Sequence, residues 1–412
     1  MIAVRGLGHF WPAPVMDAEY VEPDGTTIPL IGEIDDEETV PASRLRELGL
    51  TVEGEWVTRY LLKTGNRDLL GLDFRWVQAS GLQNQRYPEE LMVVERREWG
   101  NFYGYLSAVK ENGKIVSEGA WEDLQKRLER ALAIFDEIRS IEKYEIGKIN
   151  YGLERLRLYQ RRLELDNALS PIKQAEIAEK KAALEGHFEE LNQKLAQLYQ
   201  DVSRDSFSAK VMDGGVVDIP LDKVVHIHRP NAMSLSDKLS FYMMKAWEFV
   251  SEDPREANTE GGIFPAIFGT VIMVIIMSII VTPFGVIAAI YLHEYAKQGW
   301  VTRTIRIAVN NLAGVPSIVY GVFGLGFFVY FLGGSIDQLF FPEALPAPTF
   351  GSPGILWASL TLALLTVPVV IVSTEEGLSR IPSSIREGSL AFNAIKLRAT
   401  TRDCPYNKSR FT

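Results

Sequence analysis

Two adjacent glutamates, Glu375 and Glu376, are the residues of this sequence that most resemble a pair of catalytic carboxylates. They follow an uncharged run, residues 355–374, and precede a glycine, an arginine and a proline within residues 377–382. Neighbouring helix residues point about 100° apart, so the two carboxylates cannot flank one substrate as a general acid and base. The pattern favours carboxylates at a membrane boundary or along a polar path, and Thr374 and Glu375 are the candidate path residues.

Two other patterns carry chemical side chains without the spacing of a known site. His226 and His228 share a strand face, as zinc ligands would, but no cysteine or third ligand is nearby, which favours solvent-facing histidines. The acidic residues 35–38 lack the glycine spacing of a calcium loop and predict a solvated turn. No G-x-x-x-x-G-K-[ST] sequence occurs, so any ATP-driven transport would require another subunit to hydrolyse the nucleotide. The chain is predicted to be a non-enzymatic subunit without a metal or cofactor.

Uncharged segments of membrane-spanning length must position the candidate path residues. Residues 263–292 contain no charged side chain, and residues 312–332 and 355–374 form two further apolar runs. An α-helix needs about 20 such residues to cross the hydrocarbon core of a bilayer. The sequence therefore predicts three transmembrane helices, and Pro283 predicts a kink or break in the first.

Small residues in the second predicted span indicate close helix packing. Ala313 and Gly321 lie on one helix face, and Gly324 follows one turn later, so a neighbouring helix can approach closely. Packing is the simpler interpretation of this span. The alternative is that it lines the translocation path, with Asn311 and Ser317 as candidate lining residues.

Pro316 in the second predicted span lacks a backbone amide hydrogen that could donate to a carbonyl. It leaves a backbone carbonyl near Leu312 without its usual helical donor. Such a carbonyl is tolerated at membrane depth only against protein or a water-filled cavity.

The distribution of lysine and arginine predicts the orientation of the spans. Lys297, Arg303 and Arg306 lie between the first two spans, and several more basic residues follow the third, whereas residues 333–354 contain none. The positive-inside rule places the basic segments in the cytoplasm. By alternation, residues 1–262 are external, and no preceding span or signal peptide is visible.

Residues 1–262 are predicted to contain a β-rich unit that is split in sequence. Alternating apolar residues and turn dipeptides such as Asn112-Gly113 predict its first part in residues 1–119. The same pattern returns in residues 204–233. The chain has a net charge of −10, concentrated in this region, which argues against nucleic acid as a partner.

Helical patterns occupy the rest of this external α+β region. Residues 120–203 place apolar side chains at alternating spacings of 4 and 3, which predicts an antiparallel coiled-coil hairpin that turns near Asp166. Ser170 and Pro171 predict the start of its second limb. Residues 234–262 predict an amphipathic helix and a polar linker.

From about Asn258 to Ala391 the chain resembles PstA-type permeases, the membrane-spanning subunits of ABC phosphate importers. The resemblance is carried by FGTVIMVIIMSIIVTPFGVIAAIYLHEYAK, IRIAVNNLAGVPSIVYGVFGLG and TVPVVIVSTEEGLSRIPSSIREGSLA. It implies an α-helical, multi-pass protein of the bacterial inner membrane, with the core of a type I ABC importer permease and a periplasmic region in residues 1–262.

The same resemblance implies a set of partners. They are a PstC-type second permease subunit, a cytoplasmic PstB-type ATPase, a periplasmic phosphate-binding protein and membrane lipid. It also implies that residues 377–396 are similar to the family's EAA coupling helix. In that helix the residues facing the ATPase would be Arg386, Glu387, Gly388 and Ser389.

The chain departs from the family pattern at several positions. Gly388 replaces the usual alanine of the coupling sequence, and Val372 stands where many relatives have an arginine, three residues before Glu375. Residues 397–412 form an atypical tail, and the two further spans of the family are absent, so the sequence suggests a permease core that is truncated at both ends.

Two alternative functions stay open at this point. The importer could carry another oxyanion, such as sulfate or molybdate. The chain could instead be a membrane-anchored adaptor or sensor whose coiled coil recruits a partner. The Gly, Pro and Asn content of residues 310–326 favours the transporter over a simple anchor.

Overall fold

The computed structural model describes residues 8, 10–47, 54–255, 260–297, 299–312 and 314–382. The chain divides into two compact units, with the boundary between Ile267 and Phe268. In its described part, the first unit combines two antiparallel β-sheets with long helices. The described part of the second unit is helical.

The first sheet contains five antiparallel strands. In chain order they are β1 (Val15–Val21), β2 (Thr27–Pro41), β3 (Trp56–Lys63), β4 (Phe74–Gln78) and β5 (Leu82–Arg86). They pair in the order β4-β3-β2-β1-β5. Alternate residues of β1, including Met16 and Tyr20, pack with Leu30 and Leu62 in the core of this sheet. Two short helices, α1 (Ala42–Glu47) and α2 (Arg67–Leu70), join its strands.

The second sheet takes strands from both sides of a long helical segment. Its strands are β6 (Leu91–Arg96), β7 (Asn101–Glu111), β8 (Lys114–Glu118), β9 (Asp205–Lys210), β10 (Val216–Pro220) and β11 (Val224–His228). They pair in the order β10-β9-β7-β6-β11, and β8 also pairs with β7. Asn112 and Gly113 connect β7 to β8 with φ angles of 49° and 76°, the left-handed pair that a type I′ turn requires.

The helical segment between β8 and β9 forms an antiparallel hairpin. Helix α3 (Trp121–Ser140) continues through one π-helical turn (Ile141–Glu145) into α4 (Ile146–Leu165), and α5 (Pro171–Val202) returns. Asn167 reverses the chain with a φ of 53°. The Ser170 hydroxyl caps α5 by accepting a hydrogen bond of 3.3 Å from the Lys173 amide.

The hairpin and the second sheet share one hydrophobic core. Leu124 and Leu128 of α3 pack with Phe102 and Phe207 of the sheet. The same core continues along the hairpin through further buried residues, namely Ile138, Ile141, Ile149, Leu191, Leu195 and Val202. Helix α3 is therefore packed on the β-sheet, and α4 with α5 extends away from it.

A further helix leads from the second sheet toward the apolar part of the chain. Helix α6 (Leu235–Ser251) begins with a capping box in which Ser234 and Asp237 bond each other's backbone amides. A two-residue ladder follows, between β12 (Pro254–Arg255) and β13 (Glu260–Gly261).

Three helices of the described chain are long and apolar enough to cross a membrane. They cover Phe264–Tyr295, Ser317–Phe340 and Ile355–Ser379. The first consists of α7 (Phe264–Ile290) and a π-helical turn (Tyr291–Tyr295). The second consists of α9 (Ser317–Phe323), a π-helical stretch (Gly324–Gly333) and α10 (Gly334–Phe340), and the third is α11 (Ile355–Ser379). Helix α8 (Trp300–Leu312) lies between the first two in sequence.

The helix boundaries differ from the predicted spans at two places. The second span begins at Ser317 rather than Leu312, because Pro316 stands outside the helix in the N-cap position. Helix α7 is not broken at Pro283, which lies inside it. A proline removes only one helical hydrogen bond, and the rest of the helix can continue past it.

Substitution of Leu191 tests the packing of the hairpin. Leu191 is 5% exposed, so Leu191→Asp would bury an unpaired charge and lower the stability of the first unit by about 3–5 kcal/mol. Far-ultraviolet circular dichroism during thermal unfolding of the purified chain measures this loss. The matched control is Ile172→Asp on the same helix, where the side chain is 81% exposed and the change should stay within about 0.5 kcal/mol. Equal effects of the two substitutions would contradict the packing of the hairpin.

Candidate functional site

Three helices of the second unit meet where the third span ends. Their contact is a small apolar cluster made by the first span with its π-helical turn, by α8 and by α11. The buried members are Ala289, Leu292 and Ile371, and Val309 and Val367 pack beside them. This cluster places the polar residues of α8 next to those at the C-terminal end of α11.

The cluster brings Arg306 of α8 next to Glu375 of α11. Arg306 Nη2 lies 3.5 Å from Glu375 Oε1 and donates a hydrogen bond of 3.1 Å to the Leu292 carbonyl. That carbonyl lies in the π-helical turn that ends the first span. A single guanidinium therefore links the ends of the first and third spans through α8.

The ion pair leaves one polar atom of each residue without a hydrogen-bond partner in the described chain. Arg306 Nε and Glu375 Oε1 are both shielded from solvent, and neither forms a hydrogen bond within the described part of the chain. Buried polar atoms without a partner are rare in proteins, so this pair is the most unusual polar contact at the end of the third span.

The other candidate path residues are not gathered around Glu375. Thr374 donates its hydroxyl to the Val370 carbonyl of its own helix at 2.7 Å. Asn311 and Ser317 are exposed. Among the described residues, no hydrogen bond or ion pair joins either of them to Glu375.

The Leu312 carbonyl ends α8 instead of lying in one continuous helix with Pro316, and it accepts the Val315 amide at 3.2 Å. The Tyr320 hydroxyl donates a hydrogen bond of 2.6 Å to the Leu312 carbonyl, and Tyr320 is 5% exposed. The protein itself therefore satisfies this carbonyl, which is one of the two environments that the sequence allowed. A tyrosine one helical turn into the next span was the only sequence signal for this contact.

The small residues of the second span have different environments. A Cβ atom added at Gly324 would overlap the hydroxyl and methyl groups of Thr361 in α11, whereas one added at Gly321 would meet no atom within 4 Å. Gly324 thus lies at the contact between the second and third spans, and Gly321 faces away from the described chain. Ala313, the third predicted packing residue, lies outside the described residues.

The coupling residues predicted from the resemblance, Arg386, Glu387, Gly388 and Ser389, also lie outside the described residues. The structure shows that α11 continues past the glutamates to Ser379. Arg380 and Ile381 then form a turn, with amide hydrogen bonds to the Gly377 and Leu378 carbonyls.

The two histidines of β11 do not face solvent as the sequence suggested. His226 Nε2 pairs with Glu248 Oε1 at 2.8 Å, and the ring of His228 lies 4.4 Å from that of Phe241. Burial lowers the pKa of His228 to about 3, so the ring is neutral at physiological pH. The cause is α6, which covers this edge of the sheet. No group of three potential metal ligands occurs among the described residues.

The acidic residues 35–38 belong to a strand rather than to a solvated turn. They lie within β2, where Glu38 pairs with Arg59 of β3 at 2.9 Å. The pairing of β2 with β3 continues on both sides of them, because Leu62 and Val57 anchor the two strands in buried positions.

Comparison with known proteins identifies relatives among membrane permeases. The chain is 33% identical over 150 residues to a phosphate transport system permease protein PstA of Yersinia pestis, a match that covers 36% of this chain and 45% of the relative. It is 31% identical over 165 residues to a phosphate transport system permease protein PstA of Mycobacterium leprae. That match covers 39% of this chain and 48% of the relative.

Two further relatives carry related names. A probable ABC transporter permease protein YqgH of Bacillus subtilis is 27% identical over 148 residues, covering 35% of this chain and 43% of the relative. A phosphate transport system permease protein PstC of Mesorhizobium japonicum is 29% identical over 172 residues. That match covers 40% of this chain and 50% of the relative. The chain spans about half the length of the curated relatives it matches.

Part of the chain is thus similar to permease proteins of phosphate and other ABC transport systems. The predicted resemblance to PstA-type permeases is confirmed. No family model matches the chain, and no solved structure matches it.

Reversal of one charge tests the pair between Arg306 and Glu375. Arg306→Glu places two carboxylates next to each other and should lower the stability of the second unit by about 1 kcal/mol. The double variant Arg306→Glu with Glu375→Arg should recover most of this loss, because it restores opposite charges. Thermal unfolding of the detergent-purified chain measures both effects. Arg303→Glu is the control, since Arg303 is exposed on the same helix, and a loss equal to that of Arg306→Glu would contradict the pairing.

A matched pair of glycine substitutions tests the contact between the second and third spans. Gly324→Val should cost about 1–3 kcal/mol, because its side chain must displace Thr361 or separate the helices. Gly321→Val adds the same atoms to the same helix in open space and should have little effect. The thermal unfolding midpoint of each purified variant measures the difference. An equal loss from both would show that Gly324 is not a packing position.

Proposed function

We propose that the chain is a permease subunit of an ATP-driven importer that carries inorganic phosphate across the bacterial inner membrane. The observation that carries this proposal is the similarity to relatives named as phosphate transport permeases, at 31–33% identity. The chain would form part of the transmembrane pathway and would itself be a transport subunit rather than an enzyme. Its partners would be a second permease subunit, an ATPase and a periplasmic phosphate-binding protein.

The end of the third span offers a physical basis for handling an anion. The Arg306 side chain is 40% exposed, and its guanidinium lies 3.5 Å from Glu375. A phosphate oxygen is a stronger partner for a guanidinium than a carboxylate held at this distance. In the proposed mechanism the anion engages Arg306 transiently, and Glu375 restores the pair once the anion has left.

Motion of α8 against α11 would control this exchange. Arg306 also holds the Leu292 carbonyl, so a shift of α8 alters the end of the first span together with the pair at Glu375. We propose that ATP-driven movement reaches α11 through residues 377–396, with Arg386, Glu387, Gly388 and Ser389 docked against the ATPase. Asn311, Ser317 and Thr374 would line other parts of the path.

The region before the spans would lie in the periplasm. The basic residues of α8 support this orientation, because the positive-inside rule assigns their side to the cytoplasm. The hairpin of α4 and α5 carries a continuous apolar seam that includes Leu191 and Leu195, which supports a coiled-coil interpretation. It would act as a contact arm or spacer.

Uptake by cells that depend on this gene tests the proposed function. Gly388→Asp should abolish phosphate uptake and release the ATPase from the purified complex, because a docking surface has no room for a new charge. Glu375→Gln should reduce uptake by about tenfold or more but retain the ATPase. Radiolabelled phosphate, sulfate and molybdate in parallel assays identify the oxyanion, and co-purification reports ATPase binding.

Three outcomes of this experiment would contradict parts of the proposal. Uptake of sulfate or molybdate instead of phosphate would change the substrate. Normal phosphate uptake by the Gly388→Asp variant would remove the coupling assignment. Loss of membrane insertion in either variant, checked by membrane fractionation, would make the uptake result a folding defect.

A further inference from the structure

Helix α6 carries a row of large apolar side chains that point away from the protein. They are Leu235, Leu239, Met243, Trp247 and Val250, with exposed fractions of 76%, 55%, 61%, 72% and 48%. Their spacing of four, four, four and three residues keeps them on one side of the helix. These five residues form the apolar stripe of α6.

The opposite side of α6 faces the protein and carries both aromatic and charged residues, among them Phe241, whose ring packs on that of His228. Lys245 and Glu248 lie about half a turn around the helix from the stripe. Lys245 pairs with Glu95 of β6, and Glu248 pairs with His226 of β11 at 2.8 Å. A surface helix of a soluble domain normally turns its charges toward water and leaves no apolar row outside, so the inward charges and the outward stripe of α6 are both unusual.

The charged contacts fix the rotation of α6 on the sheet. Although burial alone would raise its pKa, the hydrogen bond from His226 and the charge of Lys245 lower the pKa of Glu248 to about 2. Glu95 also pairs with Arg255 at 2.5 Å, and its pKa lies below its usual value because the charges of Lys245, His226 and Arg255 outweigh the effect of burial. Both carboxylates are therefore ionised at neutral pH, and the stripe is held outward by ion pairs that solvent reaches poorly.

The end of α6 is tied to the start of the first span. The Ile263 amide donates to the Phe249 carbonyl at 2.8 Å, and the Phe264 amide donates to the Glu252 carbonyl at 3.2 Å. A Cβ at Gly262 would overlap the backbone of Glu252, so only glycine allows this close return. The C-terminal turn of α6 thus lies beside the residues where the first apolar helix begins.

We propose that α6 lies in the interface of the bilayer, with its apolar stripe toward the acyl chains. The start of a transmembrane helix is at the membrane surface, and the backbone contacts place the end of α6 there. An outward apolar face of this length matches the helices that lie in the plane of a membrane. Trp247 is close to the tied end, where an indole ring is favoured at the boundary between lipid and water.

This placement gives the charge network a mechanical role. The stripe anchors one side of α6 in lipid, and Lys245 and Glu248 anchor its other side on the second sheet. The extramembranous sheet would then be held at a fixed height and rotation on the bilayer, independently of what the spans transport. A protein partner on the stripe is the competing occupant, and the continuity of α6 with the first span favours lipid.

Spin-label accessibility on the full chain in lipid nanodiscs tests this placement. The native Cys404 is replaced by serine, and single cysteines are introduced by Leu239→Cys or Met243→Cys. Both positions are exposed, so the substitutions disturb no buried contact. Ile172→Cys is the control, because Ile172 is an equally apolar and exposed residue on the hairpin.

Oxygen and a water-soluble nickel chelate are the two relaxing agents. Labels on the stripe should collide several-fold more with oxygen than with the chelate, whereas the Ile172 label should show the reverse. Chelate access on the stripe equal to that at Ile172 would place the helix in water and overturn the proposal. Exclusion of both agents would show that protein covers the stripe, which would also overturn it. Because neither readout depends on transport, failure here is distinct from failure of the proposed function.

Discussion

The lack of water inside a bilayer is the constraint on which the apolar half of this chain depends. A polar group at membrane depth must find its partner within the protein. The hydroxyls of α11 obey this rule, since Ser359, Thr361 and Thr374 each donate to a carbonyl four residues earlier in the helix. Asp337, which is 1% exposed, instead accepts hydrogen bonds from the Phe350 and Gly351 amides. In the second and third spans these polar residues therefore have partners within the protein.

The same constraint explains where charges occur. Uncharged spans push the ionisable residues to their ends, so Arg306 and Glu375 meet only where α8 joins the ends of the first and third spans. At the other end of the first span, α6 shows the complementary arrangement: its charges turn toward the sheet and its apolar stripe turns outward. Both junctions follow from the cost of an unpaired charge next to hydrocarbon.

The sequence predicted those features that depend on local patterns. Uncharged runs are enough to predict three apolar helices, and the dipeptide Asn112-Gly113 is enough to predict a turn, because each rests on neighbouring residues. Contacts between distant residues were not visible. Nothing near Glu375 in the sequence points to Arg306, and nothing near His226 points to Glu248. The start of the second span was misplaced because apolarity continues through Val315, whereas the helix itself cannot include Pro316.

The pairing of Arg306 with Glu375 changes how the departure at Val372 is understood. The resemblance to PstA-type permeases implied an arginine one helical turn before this glutamate, at the position of Val372, where the two charges would move together on one rigid helix. Here the cation comes from α8, and the glutamate belongs to α11. The distance between the charges can then change whenever these helices shift against the apolar contacts that pack them together, among them Val309 with Ile371. A pair divided between two helices can open as they move, which a pair on one helix cannot do.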